Sequence, residues 1–72
     1  MSDPRAYIRL AELLRGRIES GELAPGQPAP SITTLTQEHG MARETAAKAL
    51  RLLEGEGLLV RYPGLGYYVA DR

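Results

Sequence analysis

Residues 31–51 read SITTLTQEHGMARETAAKALR, and the spacing inside this stretch decides the fold. Its first part reads as a short helix closed by His39-Gly40. Its second part, from Arg43, is a helix with one apolar and one polar face. Ala46, Ala49, Leu50 and Leu53 stand at i, i+3, i+4 and i+7, the spacing of a buried stripe. The same count from Glu44 collects Glu44, Ala47, Lys48 and Arg51 on a face directed away from that core. Two helices joined through a turn containing glycine form a helix-turn-helix, whose second helix is shaped to enter a DNA major groove.

The flanks of the two helices carry their own signals. Ser31 is placed as N-cap, with Ile32 and Leu35 turned inward. Three residues after the cap stands Thr34, not Glu or Gln, so no capping box is expected. Ala42 occupies the cap position of the next helix, at a cost of about 0.5–2 kcal/mol relative to a capping side chain. The alanines at 46, 47 and 49 partly offset that cost through helix propensity. Gly57, at the end of EGEG, is the expected residue just past the helix.

Toward the N-terminus, Asp3-Pro4 is a cap followed by a first-turn proline, and the spacing predicts a helix over residues 5–20. Tyr7, Leu10, Ala11, Leu14 and Ile18 form its inward stripe; Arg9, Glu12, Arg15 and Glu19 cover the outside. Gly16 lies inside this helix at a cost of about 1 kcal/mol relative to alanine, and Gly21 ends it. The connector GELAPGQPAPS follows, and its three prolines exclude a helix and discourage a central strand. One or two residues around 27–29 are at most an edge pairing. Beyond Gly57, residues 58–62 and 67–70 are rich in branched and aromatic side chains and are parted by Pro63-Gly64-Leu65-Gly66, which predicts a β-hairpin. Three helices followed by a two-stranded hairpin make an α+β fold, the winged helix-turn-helix, and residues 1–72 are expected to form one domain.

Composition narrows the functions. The 72 residues include no cysteine and a single histidine, His39, which leaves no disulfide framework and makes a zinc site implausible. His39 reads as a solvent-facing residue in a helix's last turn, where its partial charge suits the dipole. No apolar run approaches a membrane span, and the first residues lack a signal peptide's order, so a cytoplasmic location is expected. Nine basic residues balance nine acidic ones, and the pI is about 6.6. Any positive patch must therefore arise by segregation of charge, because a domain that grips phosphates usually carries a basic excess. No Ser/His/Asp or Cys/His set and no phosphate-loop pattern is present, and the carboxylates are scattered; an enzyme is not expected, nor any cofactor.

Arg43 leads the candidate DNA contacts. Residues at the start of such a helix lie closest to base edges, and arginine can grip guanine through two hydrogen bonds, worth about 1–3 kcal/mol of discrimination. Its ordinary alternative is a solvated arginine, or one paired with Glu44 or Glu38. Thr45 is a candidate for a phosphate or a thymine methyl, and Lys48 and Arg51 suit phosphates, though a charged helix face needs no such role. Ser31, Thr33 and Thr34 stand at a helix N-terminus, where free N–H groups and the dipole favour a phosphate. Gly64, Leu65 and Gly66 form a turn narrow enough to approach a DNA backbone. Leu65 fits either a minor groove or a protein contact, and Tyr62, Tyr67 and Tyr68 divide between covering the helices and flanking the wing.

The runs Tyr7…Leu14…Ile18-Glu-Ser-Gly21-Glu-Leu23-Ala-Pro25-Gly26, Pro30-Ser31, Leu35, Gly40-Met-Ala-Arg43-Glu-Thr45, Ala49-Leu50-Arg-Leu-Leu53-Glu-Gly-Glu-Gly57-Leu58 and Gly64-Leu-Gly66 resemble the DNA-binding domain of GntR-type bacterial transcription regulators. The likeness spans nearly the whole chain. It implies a winged helix-turn-helix that binds double-stranded operator DNA of two half-sites as a homodimer, usually as a repressor. In that family a C-terminal domain senses a ligand and dimerises the protein; no such pocket is expected within residues 1–72, and an excised domain and a stand-alone regulator are both open. The departures are specific. Thr33 stands where the family commonly has a DNA-contacting arginine, Ala42 where it has serine, Ala47 where a second arginine is frequent, and Leu65 where the wing is often basic. Arg43, Glu44, Thr45, Lys48 and Arg51 remain in the recognition helix. The rival expectation, drawn from these departures and the neutral charge, is a protein-interaction module on the same scaffold with weak or no DNA binding.

Overall fold

The computed structural model describes residues 4–71. Its elements run α1 (Pro4–Ser20), α2 (Ile32–His39), α3 (Arg43–Gly55), β1 (Leu59–Tyr62) and β2 (Gly66–Val69). The helix cap expected at Asp3 lies outside the described residues. α1 starts one residue earlier than its spacing predicts, at Pro4; the first hairpin strand starts one residue later than expected and ends at Tyr62 as expected, and the second is shifted one residue toward the turn.

Each helix boundary has a local cause. The Ser31 hydroxyl accepts from the Thr34 N–H at 3.0 Å, which starts α2. The Ser31 hydroxyl also donates to the Thr34 hydroxyl at 2.9 Å, which fixes the cap's rotamer without the return bond to the cap's own backbone N–H that defines a capping box. α2 stops at Gly40, whose φ of 62° is left-handed and whose N–H reaches the Thr36 carbonyl at 2.9 Å. α3 begins at Ala42 with no side-chain cap. Its other end is a Schellman arrangement: the N–H of Gly57 (φ 82°) bonds Glu54 at 3.0 Å and that of Leu58 bonds Leu53 at 3.0 Å. Leu53 and Leu58, both buried, form the apolar contact that accompanies it.

The core is one cluster. Leu10, Ala11 and Leu14 of α1 meet Leu35 of α2 and Ala46, Ala49, Leu50 and Leu53 of α3. Leu58, Leu59 and Val69 close it from the hairpin side, while Tyr7 and Ile18 pack half-buried toward the two ends of α1. Among the described residues no buried side-chain polar atom lacks a hydrogen-bond partner. The core therefore fixes helix positions through apolar packing, at about 1.5–3 kcal/mol for each large side chain fully buried.

β1 and β2 pair antiparallel with Leu59 opposite Val69 and Arg61 opposite Tyr67. Pro63 and Gly64 occupy the centre of the turn, where Gly64 has φ 81° and Leu65 N–H bonds the Tyr62 carbonyl at 2.9 Å. Proline then glycine with positive φ is what a type II turn demands. The free edge of β2 is met by the proline-rich connector: Gly26 N–H bonds Val69, Val69 N–H bonds Gln27, and Ala29 N–H bonds Tyr67, all at 2.8–2.9 Å. Pro28 sits opposite Tyr68 at a position where the ladder asks for no N–H, which is why proline is accepted there. Side chains alternate across the hairpin. Leu59, Arg61, Tyr67 and Val69 share the face turned toward the helices, and Val60, Tyr62 and Tyr68 the outer one. On that outer face the Tyr62 and Tyr68 rings meet edge to face at 5.5 Å and 74°.

Candidate nucleic-acid interface

The first turns of α2 and α3 and the inner edge of the wing surround one open groove. Ser31, Thr33, Arg43, Arg61, Gly64 and Gly66 line it, over a floor that includes Ile32, Leu50 and Tyr67. Leu50 and the neighbouring core anchor α3, so the groove's shape is set by buried packing and its chemistry by exposed side chains. Arg43 is exposed, and its Nη1 donates to the Thr33 hydroxyl at 3.3 Å. Among the described residues no carboxylate forms an ion pair with it; the expected alternatives, Glu44 and Glu38, do not take that role. Glu44 is exposed in the first turn of α3, where its charge suits the positive end of the helix dipole. Ser31 is exposed and spends its oxygen on the cap. Thr34 is half-buried. The two hydroxyls share one bond, so one of their protons is left to donate outward.

At about 100° per residue, Arg43, Ala47 and Arg51 fall within one quadrant of α3. Lys48 lies further round, and its ammonium stands 5.3 Å from the centre of the Tyr7 ring, a cation–π contact with α1. Thr45 requires a correction. It is only 5% exposed and packs with the buried residues, so it does not share the open side of Arg43. The physical reason is angular: Thr45 is about 200° round the helix from Arg43, next to the stripe of Ala46 and Ala49. Arg51 is exposed beside Ala47 and Arg61. At the wing tip Leu65 is 72% exposed between Gly64 and Gly66, which both have positive φ.

Arg61 is absent from the candidates that the sequence alone supplied. It lines the groove with Arg43 and also a second hollow with Arg51, Ala47 and Glu54. The signal available in the sequence was that residues 59–69 hold no other charge.

Part of the balanced charge is paired off within the domain. Arg15 binds Glu56 through two bonds, Nε at 2.9 Å and Nη2 at 2.7 Å, and Arg17 pairs with Glu22 at 3.1 Å. The hydrogen bond from Arg15 holds the Glu56 carboxyl below its usual value, and the Arg15 guanidinium is raised by the same bond. These pairs tie up cations of α1, away from the groove. Arg43, Arg51 and Arg61 remain outside any such pairing among the described residues.

This is the arrangement of a winged helix-turn-helix of the DNA-binding kind. A family model described as bacterial regulatory proteins, gntR family, matches residues 6–69, and the chain belongs to that family. It is 42% identical over 66 residues to the uncharacterized HTH-type transcriptional regulator YjiR of Escherichia coli K12, covering 92% of this chain and 14% of that protein. It is 38% identical over 65 residues to the histidine utilization repressor of Pseudomonas aeruginosa, covering 90% and 26%. The chain thus spans only 14% and 26% of these relatives' length. Among solved structures, AraR(DBD) in complex with operator ORR3 superposes with a TM-score of 0.87 at 34% identity, covering 90% of this chain and 78% of that one. Among the described residues no helix is long and apolar enough to cross a membrane.

Proposed function

We propose that residues 1–72 act as one DNA-binding unit of a bacterial transcription regulator, usually a repressor in kind, working by occupying an operator. α3 enters the major groove with Arg43 leading, Arg51 reaches a phosphate further along, and the turn Gly64-Leu65-Gly66 lies against the backbone beside it. Ser31, Thr33 and Thr34 present the N-terminus of α2 to another phosphate. Glu44 is left near the bases as an acceptor, and Lys48 serves the backbone from the α1 side if it leaves Tyr7. The observation that carries this reading is the exposed Arg43 at the first turn of α3, held by Thr33 and facing the groove. Its relatives named as repressors and the operator complex of AraR(DBD) support the same reading. One copy should bind generic duplex weakly, in the range of about 10⁻⁴–10⁻⁶ M. Tight binding to an operator of two half-sites requires two copies, because the second contact then gains from effective concentration. The same proposal gives the protein a cytoplasmic location, where bacterial DNA is.

The test is fluorescence anisotropy of a labelled mixed-sequence duplex at rising salt. Binding that weakens steeply and linearly in log–log form supports the proposal; absence of binding even at low salt overturns it. The rival reading, a protein-interaction module, draws on one observation, the 72% exposure of Leu65 at the wing tip. It calls for a partner that protects Leu65 and for no salt-dependent DNA binding.

A further inference from the structure

We propose that Arg61 is a phosphate contact of the DNA interface and supplies the cationic grip of a wing whose tip carries none. The inference rests on the DNA-binding reading above and extends it to a residue outside the helices. Four observations converge on it. Arg61 is the sole charged residue between 59 and 69, so any electrostatic attraction of the hairpin to DNA has to come from it. It lies on the same strand face as Leu59, which is 3% exposed and anchors β1 in the core, and opposite Tyr67, which packs against that core. The backbone beneath Arg61 is therefore held, while its own side chain is exposed. It borders both hollows that flank the outer quadrant of α3, with Arg43 in one and Arg51 in the other.

The fourth observation concerns what surrounds it. Ala47 lines the second hollow and is too small to fill it, which leaves open space between Arg61 and the recognition helix. Glu54 also borders that hollow, yet forms no ion pair with Arg61 among the described residues. The guanidinium is thus open to an external anion, and its planar fork matches a phosphate through two parallel bonds. A strand beside the recognition helix is positioned for the backbone that borders the major groove, not for the base edges inside it. Phosphate contacts of this kind fix register and orientation and carry no sequence information themselves.

The experiment is a salt series, by anisotropy, of Arg61→Gln and Arg61→Lys against the unmodified chain, on two mixed-sequence duplexes of unrelated sequence. Circular dichroism melts show that each variant is folded. The unmodified chain should bind both duplexes with a measurable salt slope. Arg61→Gln should weaken both equally and reduce the slope by about 1, and Arg61→Lys should restore most of the slope. An unchanged slope and affinity in Arg61→Gln would overturn the assignment while leaving the DNA-binding reading intact. A loss that differs between the duplexes would also overturn it, since that is the mark of a base contact. Failure of the unmodified chain to bind either duplex would remove the reading on which the inference rests, and the inference with it.

Discussion

The guanidinium of Arg43 donates to the hydroxyl of Thr33 across 3.3 Å, joining the first turn of α3 to the first turn of α2. A neutral acceptor at this length orients the arginine without neutralising it, and the bond is exposed, so releasing it costs little. A carboxylate in the same place would have competed with DNA for the charge.

Arg43→Ala should therefore abolish discrimination at the base pair that Arg43 reads and leave the fold unchanged. Loss of a two-bond guanine contact is expected to cost about 1–3 kcal/mol at the affected base pair. Stability should move by no more than about 0.5 kcal/mol, because the side chain is exposed. Selection from randomised duplexes, compared between the two chains, measures the first effect and a urea melt the second. A variant that selects the same sites would show that Arg43 reads no base.

Gly16→Ala should stabilise the domain. Gly16 lies inside α1, is exposed, and a Cβ there would meet nothing within 4 Å. The gain is about 1 kcal/mol, which for a domain of this size raises Tm by roughly 4–8 °C. Calorimetry checks it, and DNA binding should not change.

Leu50→Ala attacks the support of the site. Leu50 is fully buried, and it also forms part of the floor beneath Arg43. A cavity of this kind costs about 2–5 kcal/mol. That is a large share of the stability of a small domain, so denaturant unfolding should begin far earlier and DNA binding should fall in proportion to the unfolded fraction.

Glu56→Gln should remove a pH dependence. The carboxyl of Glu56 sits below its usual value because of Arg15, so its contribution is present above the unfolded carboxylate value of about 4.3 and is lost as pH falls through the lower folded value. Melting curves of the two chains should differ at neutral pH and converge under acid. The raised Arg15 contributes below its unfolded value and is lost only at high pH, outside this window.

The elements were legible because their signals are local. The buried stripe of α3, the left-handed glycines at 40 and 57, and the Pro63-Gly64 turn each follow from a few neighbouring residues. Even the edge pairing at 27–29 is there, since the prolines leave only that short piece able to join β2. What was missed depends on distance. Thr45 is the exception: its polar side chain made it a candidate, but the helical angle, a local signal, turns it inward. Lys48 meets Tyr7, about forty residues earlier, through the packing of α1 on α3. Arg61 became visible only when the register set it on the inner face of the hairpin, beside arginines of another element.

The measurement that tests the central claim most directly is an amide chemical-shift titration of the isotope-labelled chain with a short mixed-sequence duplex, at low and at high salt. The expected result is a set of shifts confined to residues 31–34, 43–51 and 61–66, present at low salt and lost at high salt. Shifts absent from these residues at low salt, or centred on the outer face of the hairpin and indifferent to salt, would contradict the claim that α3 and the wing hold DNA.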